Sequence, residues 1–174
     1  MNQRPRPLLE QYTRGYFEVT DTFIESPQAG PSGPEQQRQR HYRLNPHLGS
    51  GWTDMNQFDS GILVGRMAWR LTRTVSDDYV ELPRSVCLGF MISGVATITE
   101  PAGRPRDVTA GHVLVRNNPP TRARRRALPG AVQSGISIDL PDPMLQTLQD
   151  QGVDLGCIAR PGTFEVFKGS THLA

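Results

Sequence analysis

Cysteine is scarce. Only Cys87 and Cys157 occur in 174 residues, too few for a disulfide framework, and a reducing cytoplasm is the compartment this implies. Charge of one sign is scarce too. The formal net charge is +2, which argues against a polycationic surface that holds nucleic acid or anionic lipid by bulk electrostatics. No apolar run approaches the ~20 residues needed to span a bilayer, so no membrane partner is expected. The N-terminal residues 1–10 contain Arg4 and Arg6 but lack the apolar stretch of a secretory signal. There is no internal repeat, no Gly-x-Ser-x-Gly and no other nucleophile motif. Histidine is limited to His41, His47, His112 and His172, with no His-x-His pair.

Glycine and proline are plentiful, at 17 and 15. Many turns and few long helices follow. The length suits one domain, which would bury roughly 70% of the surface its unfolded chain exposes. The centre of the chain is Val86 to Pro120. An apolar strand, Val86 to Ser93, runs into Gly94, and a second follows from Val95 to Thr99. A turn over Glu100 to Gly103 leads to a polar strand, Arg106 to Thr109. After Gly111 an apolar strand, His112 to Val115, runs on to a stop at Asn117-Asn118-Pro119-Pro120. Short strands punctuated by Gly and Pro read as a small antiparallel sandwich or barrel.

Around that centre the chain divides into residues 1–48, an arm; 49–140, the β domain; and 141–174, a helix and tail. In the arm, Leu8, Leu9, Tyr12 and Tyr16-Phe17 have helical spacing, which Gly15 weakens. Phe17 to Ile24 alternates like a strand. Ser26 to Arg40 is rich in Pro, Gly, Gln and Arg and reads as a loop. Arg38, Arg40 and Arg43 are either solvated or available to an acidic partner. Trp52 to Phe58 is a predicted strand, and Gly61 to Val75 a long one. Leu63, Met67, Trp69, Leu71 and Val75 share its core face. Met67 and Trp69 either pack there or line a cavity. Ser76-Asp77-Asp78 reads as a turn and Tyr79 to Leu82 as a short strand. Both faces of Val86 to Ser93 are apolar or small, so that strand is expected to be covered on both sides. Val132, Ser134, Ile136, Ile138 and Leu140 alternate with Gln133, Gly135, Ser137 and Asp139 in the last strand. Asp142 is the expected N-cap of a helix with Pro143 at its first position, ended by Gly152.

Gly51-Trp52, the strand through Arg66 and Trp69, the Gly-Phe-Met-Ile-Ser-Gly run, the Gly111 turn and the closing Gly-Ile-Ser-Ile-Asp-Leu-Pro-Asp-Pro-Met-Leu-Gln-Thr-Leu together resemble the N-terminal sensor domain of AraC-type transcription regulators. The pyochelin-regulator branch is the nearest in appearance, over roughly residues 49 to 150. The resemblance implies a mainly β fold, a cupin-like jelly-roll barrel with a short C-terminal helix. It also implies a small-molecule effector, a homodimer, and DNA contact through a C-terminal helix-turn-helix domain. After Gly152 there are about two dozen residues, too few for such a module. The chain is therefore expected to be a fragment that does not bind an operator by itself.

Enzymatic cupins hold a metal with two His and a Glu from one motif and a His from a second. If Gly94 closes the first motif, its Glu position falls on Cys87, and its His pair on Glu81 and Pro83 or on Val80 and Leu82. If Gly111 opens the second, its Pro-x-Gly falls on Asn117 and Pro119, and its His on Arg122. A guanidinium repels a divalent metal and cannot deprotonate to bind one. No metal, no other cofactor and no catalytic residue are expected. Arg122, Arg124 and Arg126 share one face of Thr121 to Ala127, and Ala123, Arg125 and Ala127 the other. Three readings stand: an edge strand charged against edge pairing, a bidentate anchor for an anionic ligand at Arg122, and a nucleic-acid patch. The expected ligand-binding set is Arg122, Arg124, Met91, Cys87, Trp69, Met67 and Glu81, around a small anionic or aromatic molecule. The alternatives are a metal-independent cupin enzyme using Glu81, Tyr79 and Arg122, and a structural barrel packed solid around Trp69 and Met91.

Overall fold

The computed structural model describes residues 7–18, 20–26, 38–79, 85–99, 103–118, 123–159 and 163–168. Glu81 and Arg122, both expected in the site, lie outside the described residues. The strands in chain order are β1 (Phe23–Glu25), β2 (Gln39–Leu44), β3 (Gly49–Gln57), β4 (Leu63–Leu71), β5 (Val75–Tyr79), β6 (Ser85–Ser93), β7 (Val95–Thr99), β8 (Arg106–Thr109), β9 (His112–Asn118), β10 (Ala123–Ala127), β11 (Val132–Pro141) and β12 (Thr163–Lys168). Two helices, α1 (Leu8–Tyr12) and α2 (Asp142–Asp150), flank them.

The strands form two antiparallel sheets, β1-β2-β3-β4-β11-β6-β9-β12 and β5-β10-β7-β8. Within them β4-β11-β6-β9 lies over β5-β10-β7-β8. That is the interleaved double Greek key of a jelly roll. The mainly β, cupin-like fold with a short C-terminal helix is therefore present. The expected barrel is not closed: no ladder joins the two sheets among the described residues, and side chains from both line the space between them.

Local patterning explains most of the strands. On β4, Leu63, Trp69 and Leu71 are 0%, 3% and 3% exposed, as the period-two reading of this strand requires. Gly94 has φ +85°, and a Cβ there would come within 2.9 Å of the Gln133 Cα, so only glycine fits this turn between β6 and β7. The arm belongs to the same core. Leu8, Leu9 and Tyr12 of α1, and Tyr16 and Phe17 of the π turn that continues it over Thr13–Phe17, are all buried with Phe23, Tyr42 and Trp69. Phe17 stacks on Tyr42 with ring centroids 3.8 Å apart.

Several expectations fail for identifiable reasons. The long strand Gly61 to Val75 breaks after Leu71, and Val75 opens β5 in the other sheet. Ser76 to Asp78, read as a turn, is strand, because Asp77 is drawn inside by ionic and hydrogen-bond partners that local propensity does not register. Phe17 to Ile24 is not one strand: Phe17 ends the π turn and only Phe23 and Ile24 enter β1. The strand β6 is not covered on both sides along its length. Val86 is fully buried, whereas Phe90 and Ile92 are 38% and 59% exposed. The C-terminal segment comes near the Val86 end, where Asn117, paired with Val86, donates from Nδ2 to the Ile158 carbonyl at 2.8 Å, and its Val166 packs against the cluster that contains Met91. Pro141, not Asp142, is the N-cap of α2, so Asp142 is already the first helical residue; Gly152, at φ +82°, follows its end. The tail's Phe164 to Phe167 patch joins β12, which pairs with β9.

Candidate functional site

Between the sheets lies a cavity of about 180 Å³. Its walls are apolar: Met55, Met67 and Trp69 from β3 and β4, Met91 from β6, Ile98 from β7 and Leu114 from β9. Tyr12, Tyr16 and Phe17 complete it from the arm. Two polar centres are set into this lining.

The first joins the arm to the large sheet. Tyr12 donates its hydroxyl to Asp139 Oδ1 at 2.6 Å, and Ser85 donates to the same oxygen at 3.2 Å. Arg116 Nη2 donates to the Tyr12 oxygen at 3.2 Å. Arg116 and Asp139 are 8% and 1% exposed. Burial pushes the Asp139 carboxyl above the usual carboxylate range, against the opposing pull of Arg116 and of its hydroxyl donors. Burial likewise raises the Tyr12 hydroxyl, reinforced by the nearby Asp139 charge. The Cys87 thiol is raised well above its ordinary value for the same two reasons.

The second centre joins the arm to the small sheet. Arg125 on β10 forms an ion pair with Asp77 on β5, both side chains under 8% exposed. Thr22 donates its hydroxyl to Asp77 Oδ1 at 2.5 Å and Tyr16 donates to Oδ2 at 3.2 Å. The guanidinium carbon of Arg125 lies 4.4 Å from the Trp69 ring centroid, a cation–π contact in a desolvated setting.

The expected site residues divide. Met67, Trp69, Cys87 and Met91 all line the cavity. Arg124 does not: it is exposed and holds Asp78 on the outside, Nε to Oδ1 at 2.7 Å. The alternation along β10 is as expected, but Arg125 and Ala127 form its inward face. Nor is β10 an edge strand, since β5 and β7 flank it. Its charges therefore protect no free edge. On β11 the inward face is the polar one. Gln133 and Asp139 are 2% and 1% exposed while Val132 and Ile136 are 37% and 36% exposed.

Arg116, Asp139, Arg125, Asp77, Gln133 and Tyr12 were not anticipated. One signal existed for Arg116: it shares its face with the buried Leu114 inside an apolar strand, where a cation is out of place unless partnered. Among the described residues no three His, Cys, Asp or Glu side chains converge on a point. His41 contacts Asp54, His47 contacts Asn45 and His112 contacts Thr109.

A thiol held protonated is a poor nucleophile. Iodoacetamide at pH 8 should leave Cys87 unmodified in the folded chain over a period that alkylates it fully in urea, as read by peptide mass mapping. Equal labelling in both states would show that the cavity wall opens readily at β6.

No protein-family model matches the chain, and no curated protein matches it. Solved structures with a similar chain path exist at low identity. ToxT from Vibrio cholerae is 11% identical with a TM-score of 0.47, over 62% of this chain and 43% of that one. A ToxT structure described as bound to an unsaturated fatty acid is 14% identical with a TM-score of 0.43, over 55% and 34%. The bacterial pirin YhhW from Escherichia coli, in complex with nickel(II), is 8% identical with a TM-score of 0.43, over 85% and 55%. A cupin protein from Bacteroides fragilis is 15% identical with a TM-score of 0.37, over 47% and 66%. This chain spans less than half the length of the ToxT chains.

Proposed function

We propose that this chain is the effector-binding domain of an AraC-type transcription regulator, a binding domain rather than an enzyme. The observation that carries this reading is the cavity: apolar walls from both sheets and the arm line it, and its charged groups answer one another instead of standing ready to react. Cys87 and Tyr12, the nucleophile and acid–base candidates in the lining, are both held in their neutral forms by burial. Such a pocket binds small apolar or aromatic molecules with few polar contacts. In this reading a homodimer and a helix-turn-helix domain elsewhere in the regulator turn binding into a change at DNA, through the differential affinity of the effector for two arrangements. A cytoplasmic location belongs to the AraC-type reading; of the described helices, none is long and apolar enough to cross a membrane.

Native mass spectrometry of the purified chain, followed by thermal unfolding with a panel of small arenes, tests the proposal. A retained organic mass, or a midpoint that rises with arene concentration, is the expected result. Ligand present at 100 times its dissociation constant should add about 2.7 kcal/mol of stability. A chain that carries no organic mass and responds to no arene at millimolar concentration is not a sensor of this kind. Catalytic turnover by the metal-free chain would reinstate the enzyme.

A further inference from the structure

Two polar side-chain atoms in the cavity lining make no hydrogen bond among the described residues: Gln133 Oε1, and Nε of Arg125, whose guanidinium is already paired with Asp77. Gln133 sits on β11, opposite Trp69 in the ladder, and is 2% exposed. Its Nε2 donates to the Leu128 carbonyl at 3.2 Å. This contact orients the amide, because exchanging its nitrogen and oxygen would set two acceptors face to face. The Oε1 is then left buried, without a hydrogen-bond partner among the described residues. Such an acceptor costs stability unless something donates to it. The side chain is also fixed in place, with Gly94 packed directly against its Cα and Cγ.

Charge narrows the chemistry of that donor. Arg125 is paired with Asp77, and Arg116 reaches Asp139 through the shared Tyr12 hydroxyl. Each buried guanidinium already has its carboxylate, so an incoming anion would add a buried charge with no partner of its own. Size narrows it further. A cavity of about 150 Å³ lined by apolar side chains takes benzene, and this one measures about 180 Å³. The room is for one ring and one or two further atoms. Met55, Met67, Met91 and Trp69 supply soft, polarizable walls for such a ring.

We infer that the cavity takes a neutral, single-ring arene bearing one O–H or N–H group, which donates to Gln133 Oε1. This deepens the reading of the chain as an effector-binding domain and rests on it. It replaces the broader class of anionic or aromatic molecules with a neutral one.

The test is a set of three probes of matched size, toluene, benzyl alcohol and benzoate, titrated into the chain at pH 7 with binding read by ligand-observed NMR. Benzyl alcohol should bind about twofold to tenfold tighter than toluene, the span of one net hydrogen bond, and benzoate should be the weakest. In Gln133→Leu, toluene and benzyl alcohol should bind alike. Gln133→Met repeats the comparison with a side chain of similar length, and the wild-type ranking decides the matter if neither variant folds. Toluene binding as well as benzyl alcohol, or benzoate binding tightest, overturns the inference while leaving the effector-binding reading intact. A preference for the alcohol that survives Gln133→Leu and Gln133→Met overturns the role of Gln133. Failure of all three probes to bind overturns the inference, and the reading beneath it falls with it only when the purified chain also carries no organic mass.

Discussion

Replacing Asp139 with alanine should lower the unfolding free energy by about 3–5 kcal/mol, the loss expected when one member of a buried charged pair is removed. Asp139 is 1% exposed, and three groups depend on it. Tyr12 and Ser85 both donate to its Oδ1, and Arg116 is tied to the same centre through Tyr12. Without the carboxylate, a guanidinium 8% exposed keeps its charge but loses its counter-charge. The cavity left by the missing side chain adds to the loss. Because Tyr12 belongs to α1, the arm should also loosen, and amide exchange across Leu8–Tyr12 should accelerate more than across β4. Asp139→Asn keeps the shape and should recover part of the stability. Urea unfolding with an unchanged m-value measures the effect. A loss under about 0.5 kcal/mol, the range of ordinary surface substitutions, would mean that the centre is wet and its charges are solvated.

The second large effect lies at the other polar centre. Asp77→Leu should also cost about 3–5 kcal/mol, because Arg125 is enclosed by Trp69 and the small sheet and cannot reach water. The hydroxyls of Thr22 and Tyr16 lose their acceptor in the same step. The informative variant is the double one. Asp77→Leu with Arg125→Met replaces the ion pair with apolar volume and should be substantially more stable than Asp77→Leu alone, since a buried pair is costly to break but cheap to replace whole. A double-mutant cycle gives the coupling directly. Additive losses would show that the two side chains do not depend on each other and that Arg125 is held by the Trp69 face instead.

The legibility of the fold varied element by element. The strand β4 was readable because Leu63, Met67, Trp69 and Leu71 alternate with small or polar residues, and hydrophobicity alone selects the buried face. The two glycine turns, Gly94 and Gly111, were readable because both adopt positive φ, which glycine alone takes without strain. The strand β5 was not, since Ser76-Asp77-Asp78 has the composition of a turn and becomes strand only when Arg125 lies beside it. Met67, Trp69, Cys87 and Met91 were found because apolar residues on inward faces tend to line whatever space remains. The polar half of the lining was missed because each of its members looks misplaced until its partner is known.

By itself, then, the sequence determined which segments between Val86 and Leu140 are extended and how side chains alternate along them. A strand repeats every two residues, so alternation defines two faces. Tertiary structure alone decided which face turned inward on β10 and β11. On β10 the inward residue is Arg125, set by Asp77, 48 positions away in the chain. On β11 it is Gln133 and Asp139, the latter held by Tyr12 from 127 positions away. The hydrophobic effect favours the opposite face of β11. What reverses it is the need to satisfy buried charges and donors brought together only when the arm packs between the sheets.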